Sequence, residues 1–149
     1  MSPDQIFSVV NLVALLSWVL LAVFPGRRAV TGIVAGAAVP GTLAAIYAVI
    51  IASAWTNSSG GFSSLAAVAD LFSNPWLLLA GWIHYLAFDL LVGTWEVRDA
   101  RERGVRHAFV LPCLALTFLF GPAGWLLYRA VRSFTGTEIA LKSGRIHAS

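Results

Sequence analysis

Four apolar runs, each long enough to cross a lipid bilayer as a helix, limit what this chain can fold into more than any other feature. They lie at about Ile6 to Phe24, Ala29 to Trp55, Pro75 to Trp95 and Ala108 to Val131. At about 1.5 Å per residue, roughly 20 helical residues span a hydrocarbon layer of about 30 Å. Lipid offers no partner to open backbone groups, so such runs become helices or a closed barrel, and none shows the period-two alternation of a membrane strand. Hydrophobic residues make up 58% of the 149 and charged residues only 11%, more apolar than a water-soluble domain requires. The expectation is an all-α integral membrane protein: one four-transmembrane-helix bundle over residues 1–132, then a polar, mobile tail over 133–149.

The punctuation between the runs sharpens this outline. Ser2, Pro3 and Gln5 offer a capping residue, a proline for the first helical position and a glutamine three residues after the cap, so helix one is expected to start at once. No basic residue precedes this run and no small-residue cleavage pattern follows it, so it reads as a retained helix rather than a secretory signal. Between helices two and three, Leu65, Val68, Leu71 and Phe72 fall on one side of a short stretch, Ser64 to Phe72, expected to lie along the membrane surface. Asn74 and Pro75 then start helix three. In helix two, Gly32 and Gly36 permit close approach and Pro40 with Gly41 permits a bend that frees a carbonyl; tight packing and a substrate groove are both open readings. Pro122, between Gly121 and Gly124, is expected to bend helix four and free the Phe118 carbonyl toward the bundle.

A net charge of +3 and a pI near 9.6 do not point to nucleic acid, because the basic residues sit at helix ends and in loops, where anionic lipid headgroups are. Loops one and three carry Arg27, Arg28, Arg98, Arg101, Arg103 and Arg106, whereas the amino terminus and loop two carry no Lys or Arg. By the positive-inside rule loops one and three face the cytoplasm and, with four spans, both termini face outward. Arg129, Arg132, Lys142 and Arg145 near the carboxyl end run against that placement. The lone Cys113 permits neither an intrachain disulfide nor a thiolate metal cage.

Within the third run stand two titratable residues, His84 and Asp89, where lipid makes such side chains costly and therefore functional candidates. Trp82, Tyr85, Asp89, Gly93 and Glu96 trace one stripe of the helix, and His84 shares its side with Gly81, Phe88 and Trp95. At about 100° per residue His84 and Asp89 point about 140° apart, so each needs partners from other helices. Asp89 is either a structural acceptor, for Asn11, Tyr47, Thr31 or a loop arginine, or a carboxyl kept protonated in an apolar pocket and available as a general acid. His84 is either a neutral imidazole bonded to Thr117 or to a freed carbonyl, or a base or proton carrier. Around them, Asn11, Trp18, Trp82, Tyr85, Phe88 and Thr117 form the candidate substrate-binding set. His107 reads as a headgroup or helix-start residue, and His147 as a solvated residue of the tail.

Three histidines cannot build a histidine-rich di-iron centre, and HExxH, a phosphate loop, a dinucleotide fingerprint and GxSxG are all missing from the sequence. No metal or cofactor is expected. The one exception is a haem on His84 or His107, more easily held from one side because an antiparallel hairpin separates the two by roughly 10 Å or more. What remains is chemistry that needs a proton donor, a proton acceptor and a long apolar slot, or no chemistry at all.

The run LFSNPWLLLAGWIHYLAFDLLVGTWEVRDA, followed by RHAFVLPC and FLFGPAG, resembles the abscisic-acid-deficient-four family, whose plant members are plastid membrane proteins needed for neoxanthin synthesis. The likeness is sharpest from Leu71 to Tyr128, and it carries over Trp82, His84, Asp89, Asp99, His107 and the Pro122 segment. It implies a carotenoid or related isoprenoid substrate, with an epoxide isomerised to an allene or cis isomers supported. Acid-assisted epoxide opening followed by proton removal is a net isomerisation that needs no redox cofactor. On this reading Asp89 is the acid and His84 the base or relay. The alternatives are a noncatalytic carotenoid- or lipid-binding protein that assists a partner enzyme, and a small haem protein. With no plastid transit segment and arginine-rich ends, the expected setting is a bacterial inner membrane, with a homo-oligomer possible there.

Overall fold

The computed structural model describes residues 1–146, with side chains for residues 1–134 except Asn57. His147 lies outside the described residues. Every regular element among them is helical: α1 (Pro3–Val23), α2 (Ala29–Ala54), the short α3 (Leu65–Leu71), α4 (Pro75–Glu102), α5 (His107–Phe120) and α6 (Pro122–Ile146). Three of them, α1, α2 and α4, are long and apolar enough to cross a membrane. The starts follow local chemistry. Ser2 Oγ accepts from the Gln5 amide while Gln5 Oε1 accepts from the Ser2 amide, a complete capping box ahead of Pro3. Asn74 Oδ1 accepts from the Trp76 amide across Pro75.

Helix α2 departs from the expected kink. Its first ten residues, Ala29–Ala38, wind as a π-helix, in which each amide reaches back five residues, as Val39 does to Val34. Gly36 makes the wide turn possible, since a Cβ there would collide with the Thr31 carbonyl. In this register the missing amide of Pro40 leaves the Ala35 carbonyl without its backbone donor. Thr94 of α4 supplies one instead, its hydroxyl donating to Ala35 O at 3.1 Å in the buried interior. The carbonyl expected to be freed near Gly36 is therefore real, and α4 satisfies it.

The fourth run is not one continuous helix. It breaks at Gly121, whose φ of +41° no larger residue adopts easily, and α6 doubles back along α5. Seven residues apart, Thr117 and Gly124 would be about 10 Å apart in a continuous helix; here a Cβ on Gly124 would collide with the Thr117 backbone. Beyond it, Tyr128 donates to Asp99 Oδ2 at 2.6 Å and Arg132 to Asp99 Oδ1 at 3.2 Å, so α6 returns to the end of α4 from which α5 set out. The expected single helix over Ala108–Val131 is corrected to a hairpin of α5, 14 residues long, and α6, which turns back along it. The reason is physical: Gly121 takes a left-handed turn and Pro122 lacks the amide that would have continued the ladder. The carboxyl-terminal segment consequently lies at the end carrying loops one and three, and helix continues to Ile146 through the stretch read as a tail.

Helix α4 is the hub, packed against α1, α2 and both arms of the hairpin. Where Trp18 of α1 crosses it, the ring lies over Gly93, which has no room for a Cβ.

Candidate functional site

Asp89 sits 14 residues into α4, about 21 Å from Pro75 and near the middle of the helix. Its carboxyl packs against the hairpin tip, within about 3 Å of where a Cβ on Gly121 would stand, and its Oδ2 atom is buried with no hydrogen-bond partner among the described residues. One turn earlier the Tyr85 hydroxyl lies beside this carboxyl and donates to the Phe118 carbonyl at 2.9 Å. That carbonyl is the one expected to be released by Pro122. The carbonyls freed by Pro40 and Pro122, Ala35 and Phe118, thus both receive hydroxyls from α4.

Asn11, Tyr47 and Thr31, the interhelical partners considered for Asp89, do not reach it. Asn11 instead accepts from Trp82 Nε1 at 3.1 Å and donates to Phe7 O at 2.7 Å, tying α1 to the outer half of α4.

Two grooves of about 600 Å³ each open beside α4 toward the end bearing the amino terminus and loop two. The first is walled by Phe7, Phe72, Leu78, Trp82 and Tyr85, and reaches from Pro75 to Tyr85, about 15 Å along the helix. Leu78, Trp82 and Tyr85 follow one another at three- and four-residue spacing on the side of α4 that meets the hairpin. The groove therefore lies in line with α5 beyond its tip, in the space a complete fourth span would have filled. The second groove, between α2, α3 and α4, holds His84 together with Tyr47, Trp55 and Phe62. The imidazole lies against Tyr47 and stacks on Phe88, with ring centroids 5.8 Å and 4.5 Å away. It does not reach Thr117, the bond considered for it.

The sequence-derived set therefore splits. Trp82 and Tyr85 wall the first groove and Asn11 braces Trp82; His84, with Phe88 stacked on it, belongs to the second. Trp18 and Thr117 are core residues that touch neither. Trp18 packs edge-on against Phe118, and Thr117 donates to Glu96 Oε1 at 3.0 Å, both residues having no exposed surface. His107 places Nε2 at 2.7 Å from the Ala22 carbonyl at the end of α1. It lies roughly 25 Å from His84 along α4, too far for one haem to be held by both. Among the described residues no three His, Cys, Asp or Glu side chains gather into a metal site. Missed from sequence were Phe72 and Gly81, which both grooves share, and the cluster in which Asp99 accepts from Tyr128, Arg103 and Arg132.

A model of the family described as ABA DEFICIENT 4-like matches residues 5–128, which takes in every element from α1 to the start of the returning helix. The chain belongs to the ABA DEFICIENT 4-like family. No curated protein and no solved structure matches it. The matched region of this ABA DEFICIENT 4-like protein includes both grooves, the hairpin tip and Asp89, and it stops at Tyr128, the residue that closes the hairpin onto Asp99.

Proposed function

We propose that this ABA DEFICIENT 4-like protein acts inside the membrane on a carotenoid or related polyisoprenoid, by proton transfer at the end of the groove that the half-length hairpin leaves open. The observation that carries this reading is the Tyr85 hydroxyl at the inner end of a largely apolar groove, whose one charged lining residue, Asp4, stands at the opposite end near the amino terminus, and the Asp89 carboxyl behind it with an unpartnered oxygen. Apolar walls with a few polar groups set at the ends are what an oily substrate with one reactive oxygen needs. Asp89, acting through Tyr85, delivers a proton to the epoxide oxygen as the carbon–oxygen bond breaks and its electrons pass to oxygen. A neighbouring carbon then gives up a proton, and its bonding pair forms the new double bond. His84 is the proposed acceptor. Substrate and product have the same composition.

Asp89→Asn and Tyr85→Phe keep the shape of the site and remove the donors. In a host that makes the epoxide, both variants should accumulate at wild-type level while the isomer disappears from the pigment chromatogram. An unchanged pigment profile with Asp89→Asn would end the catalytic assignment. The placement of His84 and Asp89 in different surroundings favours a second reading, a noncatalytic carrier that presents the isoprenoid to a partner enzyme. Purified protein would then retain coloured ligand and convert none of it.

For orientation, the eight arginines between residues 1 and 134 all lie at the end shared by loops one and three and the base of the hairpin. The conflict raised by Arg129 and Arg132 disappears once α6 turns back. We infer that this end faces the cytoplasm of a bacterial inner membrane, with the amino terminus and loop two outside.

A further inference from the structure

The two grooves meet at two shared residues. Phe72, at the carboxyl end of α3, borders both, and so does Gly81 beneath it, where a Cβ would come within 2.9 Å of the Phe72 ring. His84 opens into one groove and Tyr85, the next residue, into the other. Whatever lay across Gly81 in place of the ring would run between the two polar residues of the proposed site. Neither groove alone suits a substrate about as long as a bilayer is thick: the first follows α4 for about 15 Å and the second, from Leu77 to His84, for about 10 Å.

The divider is lightly held. Of α3 only Leu71 is buried, the Phe72 ring is 38% exposed, and Leu65 at the far end is 85% exposed. The segment is bounded by Gly60 and Gly61 on one side and Ser73 and Asn74 on the other. Gly60, at φ +87°, fits its backbone against Ala67 and Leu71 in a way no side chain would allow.

We propose that Phe72 over Gly81 is the length-selecting element of the site: with the ring in place each groove takes a short polyene chain, and displacement of the ring about Leu71 joins them into one slot for a long one. This rests on the reading of the grooves as an isoprenoid site, and the test separates the two. Purified protein in nanodiscs is titrated with retinol, a twenty-carbon polyene, and with β-carotene, a forty-carbon one, following quenching of tryptophan fluorescence from Trp55 and Trp82.

Both probes should bind the wild type. Phe72→Ala should shift the preference toward β-carotene over retinol about tenfold. Phe72→Ala combined with Gly81→Leu, which refills the junction without a clash, should abolish β-carotene binding and spare retinol; the retained retinol binding shows that the variant is folded. If β-carotene binds equally well to all three proteins, the length-selecting role is overturned while the isoprenoid site stands. If neither probe binds the wild type, both are overturned.

Discussion

The bond from Thr94 to the Ala35 carbonyl makes a prediction whose size follows from its surroundings. Both residues are buried, and the carbonyl lacks a backbone donor because residue 40 is proline. Thr94→Val keeps the shape and removes the hydroxyl, leaving the carbonyl orphaned. Such a loss costs about 1–3 kcal/mol in a protein interior. Interhelical hydroxyl bonds in membranes average nearer 0.6 kcal/mol with a maximum of about 1.7, because the unfolded helices also find partners. About 1 to 1.5 kcal/mol is therefore expected, read from reversible unfolding in mixed micelles titrated with sodium dodecyl sulfate. In a Pro40→Ala background the new amide can close the i to i−5 bond to Ala35, and Thr94→Val should then cost less by about 1 kcal/mol. The double-mutant cycle isolates that coupling. Additivity within about 0.5 kcal/mol would refute the assignment of the proline-freed carbonyl as the reason for Thr94.

Three further outcomes follow from the hairpin and its contacts. With Cys113→Ala as background, cysteines introduced by Ser59→Cys and Phe134→Cys should react with a membrane-impermeant maleimide from opposite sides; labelling from one side would restore four crossings. Gly124→Ala should destabilise the protein by about 1–3 kcal/mol or more, since the methyl group must displace Thr117 backbone, and an unchanged unfolding midpoint would contradict the close approach of α5 and α6. Tyr128→Phe removes a buried donor to Asp99 and should cost about 1.5 kcal/mol in the same assay. Arg103→Gln removes the half-exposed partner of Asp99, which keeps Tyr128 and Arg132, and should move the midpoint less than Tyr128→Phe does; the reverse order would show that the Asp99 cluster is held from its surface side.

Much of this fold is legible in the sequence because helix starts and apolar length are local properties. Ser2 with Gln5, and Asn74 with Pro75, announce their helices within four residues. The fourth run misleads because hydropathy adds up residues without regard to direction: Ala108 to Val131 has the length of one span whether it runs straight or folds in half. Two signals for folding were present, the Gly121-Pro122 pair and the arginines beyond it, which sat on the wrong side of a four-span arrangement. At the site, the stripe through Trp82, Tyr85 and Asp89 was readable from its spacing, and so was the release of the Phe118 carbonyl. Thr117 and Trp18 proved to be core residues instead, Thr117 facing Glu96 and the Trp18 ring covering Gly93, because spacing along one helix does not say which neighbour it meets. Phe72 and Gly81 carry no chemical signal, and their part emerges only once α3 is seen lying on α4.

With the arginine-bearing end cytoplasmic, as proposed, biosynthesis of the first 134 residues requires no arginine to be carried through the lipid. On that orientation the start of α1 and the stretch between α2 and α4 are the parts exported, and their charged side chains are two acids, Asp4 in the first turn of α1 and Asp70. No lysine or arginine side chain is among them.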